Sequence, residues 1–205
     1  MTTVLFMIGA AVAAVLLGLL LLTLLFPPFR IWPTPGSGTW QGYVFWPLFR
    51  SLNVLCFAMA IANRTNFLGL PAWSRLAAVA LLAVSIALFI YSFWVLGRDN
   101  SYGAQGGLVT SGIYRWTRNP QNLLLIVVYG CLAFAADSAP TYVLCTAMMA
   151  VYFLMVVAEE PWLEAAYGEP YRRYRSRVPR FFNWRRAAVL ARGAVVQRRH
   201  QSGKC

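Results

Sequence analysis

Apolar and polar positions along this chain fall in long blocks rather than in the short alternation of a surface helix or a half-buried strand. Residues 4–26 carry no charge, and at about 1.5 Å per residue such a run can cross a hydrocarbon core about 30 Å thick. The segment PPFRIWPTPGSG ends it, because its prolines and glycines cannot continue a helix. A second block runs from Trp40 to Asn63 and contains Arg50, a costly residue at that depth. A snorkelling or helix-pairing arginine is the simpler reading of it. The third block, Leu76 to Gly97, ends in FIYSFWVLG, aromatics suited to a membrane interface. Leu123–Ala136 and Thr141–Ala158 follow, separated only by DSAP, which predicts a tight helical hairpin. The pattern therefore predicts an all-α polytopic membrane protein of about five transmembrane helices, the fourth short. It contains no fixed-period repeat.

Composition agrees. Of 205 residues, 60% are hydrophobic and 12% charged, against about 25% charged in an average soluble protein. The first block lacks the positive flank of a signal peptide and exceeds the usual length of its apolar core. A net charge of +12 would ordinarily raise nucleic acid as a partner, but position decides otherwise. Eleven of the eighteen basic residues lie at or after Arg172, where they suit a membrane anchor facing anionic lipid. Arg30, the Arg98–Arg118 loop and this tail fall on one side of a five-span topology. That side is expected to be cytoplasmic, with the N-terminus outside; Arg64 and Arg75 run mildly against it. No nucleic-acid partner is expected. The single histidine, His200, sits in the tail, and Cys56, Cys131 and Cys145 sit in apolar runs. No metal site and no histidine-dependent triad is expected in the membrane part.

Chemistry then concentrates in two polar stretches. One is the loop 98–122, containing GLVTSGIYRWTRNPQNL; the other is EEPWLEAAYGEPYRRYRSRVPRFF from Glu159 onward. A hairpin of two helices joined by four residues returns the chain to its starting side, so Asn119–Asn122 and Glu159–Glu160 should be neighbours. Pro120 suits the first turn of a helix, whose free N–H groups favour an anion, while the two carboxylates call for a cation. Such a pocket suits a zwitterionic ligand, and S-adenosylmethionine has that charge pattern. Taken singly, each element has a plainer reading: a turn at TSGIYR, an Asx-type helix cap at NPQN, a solvated glutamate pair, a basic membrane anchor at YRRYRSR, and a helix C-cap at Gly168.

Together, VTSGIYRWTRNPQNL and EEPWLEAAYGEPYRRYRSRVPRFF resemble the isoprenylcysteine carboxyl methyltransferase and phospholipid methyltransferase superfamily of integral membrane enzymes. The pattern there is G-x-Y-x-x-x-R-H-P-x-Y before a helical hairpin, then an acidic pair, Y/F-G-x-x-Y and a basic V-P segment. The resemblance covers residues 97–182, the catalytic half of a single transmembrane domain expected over 1–182, with a basic tail at 183–205. It implies S-adenosylmethionine-dependent methyl transfer to a lipophilic small molecule or lipid that reaches the site from the membrane. Carried over by position, Gly106, Gly107, Leu108, Val109 and Tyr114 would line the cofactor. Asn119, Pro120, Gln121 and Asn122 fill the H-P-x-Y box, and Glu159 would hold a polar group of the cofactor. Glu160 is the candidate base for an amine or hydroxyl acceptor, and Arg118 and Tyr171 are the candidate acceptor-binding residues.

Two letters depart from the family pattern. Asn119 and Asn122 stand where histidine and tyrosine are usual, and an amide can hydrogen-bond but cannot titrate near neutral pH. In the isoprenylcysteine enzymes an arginine one turn before the acidic pair helps to hold the acceptor carboxylate; here that position is Met155. Two other classes stay open at this point: a membrane reductase using NADPH, related to the sterol reductases, and a non-catalytic protein on the same scaffold.

Overall fold

A computed structural model describes residues 1–26, 28–36, 38–97 and 107–182. Among these residues five α-helices follow one another: α1 Thr2–Leu25, α2 Trp40–Ala62, α3 Ala72–Leu96, α4 Pro120–Ala136 and α5 Ala139–Arg177, with a 3₁₀ turn at Gly112–Arg115 before α4. Among the described residues there is no strand. The expected all-helical, membrane-spanning fold is thus the observed one. Helices α1, α2, α3 and α5 are long and apolar enough to cross a membrane, and α4, at 17 residues, is the short one.

Local chemistry sets the ends. Thr39 caps α2, its hydroxyl accepting from the Gly42 N–H at 3.4 Å. Asp137 ends α4 in the left-handed conformation at φ 45, a region that Asp and Asn visit more readily than most residues, and α5 starts within two residues. Buried completely, Asp137 also fastens the α2–α3 connection to this hairpin. Its Oδ1 accepts from the Leu68 N–H at 3.1 Å and from the Tyr142 hydroxyl at 3.2 Å. Its main-chain oxygen accepts from the Thr65 hydroxyl at 2.7 Å and the Phe67 N–H at 3.0 Å.

The core is a continuous apolar cluster in which Leu16 and Leu20 of α1, Phe45 and Leu52 of α2, Tyr129 of α4 and Leu144 and Met148 of α5 are fully or almost fully buried. Gly9 lets α1 lie close to α5: a Cβ there would come within 2.8 Å of the Leu144 side chain.

Helix α5 differs most from the sequence expectation. Its apolar part was expected to stop at Ala158, with a polar stretch beyond; instead the helix runs on through Glu159 and Pro161 to Tyr167, breaks at Gly168 and resumes to Arg177. Gly168 has φ 55 and ψ −130, a conformation open in practice to glycine alone. It therefore works as a break within an arm rather than as a terminal cap. At about 1.5 Å per residue, 39 residues give about 58 Å of helix, roughly twice a hydrocarbon core. The excess forms an arm that folds against the loop before α4.

Candidate functional site

That arm and that loop are stitched together along a short seam. The Arg118 N–H donates to the Pro179 carbonyl at 3.0 Å. The Thr117 hydroxyl and the Asn119 side-chain amide both donate to the Arg180 carbonyl, at 3.0 and 3.1 Å. Below the seam Glu160 takes Arg118 Nη2 at 3.0 Å on one oxygen. It also takes the Arg180 fork, Nε at 2.9 Å and Nη2 at 2.5 Å, across both. The hydrogen bond from Arg180 to that carboxylate holds the guanidinium above its ordinary pKa. Arg118 also donates from Nη1 to the Tyr171 hydroxyl at 3.0 Å. Tyr174 donates to the main-chain oxygen of Tyr114 at 2.6 Å. Burial pushes the Tyr114 phenol up, so it stays neutral.

Between this seam and the bundle lies a cavity of about 410 Å³, within the range of small-molecule and cofactor sites. Gly107, Leu108, Val109 and Tyr114 line it from the loop. Asn119, Gln121 and Asn122 line it from the start of α4, and Glu159 and Met155 from α5. The juxtaposition of Asn119–Asn122 with Glu159, expected from the hairpin, is observed. Arg118 and Tyr171 line it too.

Two expected residues stand elsewhere, and a third is not among the described residues. Pro120 is the buried first residue of α4 and does not line the cavity. Glu160, though adjacent to Glu159, points to the seam and not into the cavity, its oxygens occupied by two guanidinium groups. Gly106 lies outside the described residues. Asn119 occupies the N-cap position of α4, yet its side chain makes no capping bond; the Arg180 carbonyl takes its amide instead.

Orphaned polar atoms indicate what the cavity is built to hold. Trp32 Nε1 and Arg118 Nε are buried donors with no hydrogen-bond partner among the described residues, and both residues line the cavity. The Trp32 indole lies close enough to Glu159 to act on its carboxylate without closing a hydrogen bond of ordinary geometry. An unpaired Arg118 donor near the Glu159 carboxylate suits a ligand with both an anionic and a cationic end, since a buried donor left without a partner is costly.

Residues 73–170 match the family model of the phospholipid methyltransferases. The matched stretch, just under half of the chain, begins at Trp73 in α3 and ends at Pro170 in the arm of α5. It takes in the loop, the hairpin and the glutamate pair, and bears out the resemblance carried by the two motifs. No curated protein and no solved structure matches the chain at a significant level.

The phospholipid methyltransferase match leaves out the first two helices, yet the α1–α2 connection and α2 contribute to the cavity. Trp32 comes from the α1–α2 connection, and Trp46, Phe49, Arg50 and Asn53 come from α2. In the sequence these four α2 residues already share one helical face at spacings of three, four and seven. Within an otherwise apolar block they read only as part of a span.

Proposed function

We propose that the protein transfers a methyl group from S-adenosylmethionine to a lipophilic acceptor at the membrane. The observation that carries this is the cavity lined by one carboxylate, Glu159, and by Arg118, whose buried Nε has no partner among the described residues, both within the stretch matching the phospholipid methyltransferases.

The residues fit the cofactor's charges. Glu159, with the Trp32 indole beside it, would hold its ammonium, and the Arg118 N–H groups its carboxylate. Tyr114 and the backbone of Gly107–Val109 would enclose the nucleoside. When bound, S-adenosylmethionine supplies an electrophilic methyl group on a sulfonium, so neither a metal nor a covalent nucleophile is required.

The chain's own task is alignment and exclusion of water, effects that together contribute about 7 to 11 kcal/mol in well-oriented reactions. Glu160 serves as a positioning residue. By binding Arg118 and Arg180 it fixes the loop against the arm, and so fixes the wall on which Arg118 and Tyr171 stand. Asn119 and Asn122 offer hydrogen bonds but no proton transfer. The membrane side bearing the arm, with its arginines, is the cytoplasmic side in this reading.

Titration calorimetry of the detergent-solubilised chain tests the proposal. S-adenosylmethionine should bind and NADPH should not. NADPH binding without S-adenosylmethionine binding would favour a reductase, and binding of neither by folded protein would favour a non-catalytic scaffold.

A further inference from the structure

The cavity continues beyond the part that the two motifs supply. Its deeper wall is the face of α2 carrying Trp46, Phe49, Arg50 and Asn53, which spans about 10 Å along the helix axis. Phe89 and Phe93 of α3 form another wall. These two consecutive helices make at most marginal contact: α2 packs on α1, α4 and α5, while α3 packs on α4 and the 3₁₀ turn. The cavity is thus lined on two sides by helices that do not pack closely on one another.

Arg50 stands midway along α2. Its guanidinium carbon lies 5.6 Å from the centroid of the Trp46 ring, which holds the charge over a cavity-lining side chain. Among the described residues no carboxylate pairs with it. The neighbouring polar side chain, Asn53, is already occupied. Its amide donates to the Phe49 carbonyl at 2.7 Å, and its oxygen accepts from the hydroxyls of Tyr129 and, at 3.3 Å, Tyr152. The polar group left to meet a ligand on that wall is the guanidinium. An arginine kept at membrane depth without a protein counter-ion is a functional-site feature by default.

We propose that Arg50 holds the anionic group, a carboxylate or a phosphodiester, of a lipid acceptor that enters between α2 and α3. The acceptor's reacting atom then lies toward Glu159 and the loop. This rests on the methyl-transfer reading for what happens at the polar end, but the anion site stands on its own residues. It makes Arg50 a specificity-determining residue: an uncharged amphiphile of the same chain length should bind worse.

The test uses the full chain in an uncharged maltoside detergent, titrated separately with stearic acid, dioctanoyl phosphatidylglycerol and octadecanol. The wild type should bind at least one anionic probe about tenfold more tightly than octadecanol, the size of effect expected for a charge-assisted contact. Arg50→Gln should abolish that preference and Arg50→Lys should keep part of it; the probe whose preference is lost tells carboxylate from phosphodiester. A wild type without preference for either anion, or an Arg50→Gln protein that keeps it with its thermal midpoint unchanged, would overturn the proposal. If Arg50→Gln does not fold, the wild-type preference and its retention in Arg50→Lys still decide. A parallel S-adenosylmethionine titration should be unaffected by Arg50→Gln. Failure of the wild type to bind S-adenosylmethionine would sink the methyl-transfer reading alone, because the anion preference is read independently.

Discussion

Arg118 Nη2 and Glu160 Oε1 meet at 3.0 Å with their side chains only 8% and 11% exposed. This ion pair joins the loop before α4 to the arm of α5, and Arg180 completes it from the far side at 2.5 Å. A carboxylate so placed organises the site without entering it. Removing it strands two guanidinium groups, one of them buried, and breaking a buried pair from one side costs about 3 to 5 kcal/mol.

Glu160→Ala should therefore lower the denaturation midpoint sharply and weaken ligand binding only as a consequence. Thermal unfolding in detergent measures this. A stable Glu160→Ala protein that has lost only turnover would instead mark Glu160 as a group acting on the substrate.

Glu159→Gln should do the reverse. The side chain lines the cavity and carries no ion pair among the described residues, so the fold should survive. S-adenosylmethionine affinity should fall about 10- to 100-fold, the range for losing one charge-assisted hydrogen bond. Calorimetry checks it; unchanged affinity would mean that the cationic end of the cofactor lies elsewhere.

Gly168→Ala forces a Cβ onto φ 55, ψ −130, a strain of about 1 to 3 kcal/mol. No atom would clash with the new methyl group, so the effect is conformational. The arm beyond it should shift, carrying Tyr171 and Tyr174 away from Arg118 and the Tyr114 carbonyl. Both stability and S-adenosylmethionine affinity should drop, which unfolding and calorimetry on one sample would show together.

Asp137 offers a control at the other end of the bundle. Asp137→Asn keeps an acceptor for Leu68 and Tyr142, tolerates the left-handed backbone, and replaces an oxygen that has no partner; its stability should be close to wild type. Asp137→Ala should lose about 1 to 3 kcal/mol through unmet donors and backbone strain. Ligand affinity should be unchanged in both. An Asp137→Asn protein as unstable as Asp137→Ala would show that an amide cannot take the place of the carboxyl group there.

Much of this was legible in the sequence where one physical rule dominated. The unbroken apolar block at 4–26 became Thr2–Leu25, and the block from Trp40 to Asn63 became Trp40–Ala62, because length and apolarity decide a span. DSAP predicted the hairpin, and the hairpin brings Asn122 and Glu159 to one cavity. The rest depended on tertiary contacts. Glu159 to Arg177 is rich in charge and holds two prolines and a glycine, so no local signal favours one long helix; contacts such as Tyr174 with the Tyr114 carbonyl hold the arm in place. Glu159 and Glu160 are adjacent letters, and only the packing of α5 separates a cavity wall from an ion-pair anchor. Arg50 is an isolated cost of a span in the sequence, and only tertiary packing sets it over Trp46 beside the cavity.

The central claim is methyl transfer to a membrane lipid. Its most direct measurement incubates the reconstituted full chain with S-[methyl-³H]adenosylmethionine and a membrane lipid extract, then counts label in the organic phase. Label above that of a Glu159→Gln control, carried by a discrete lipid species, is the predicted result. Folded protein that binds S-adenosylmethionine yet leaves every lipid fraction unlabelled would contradict it.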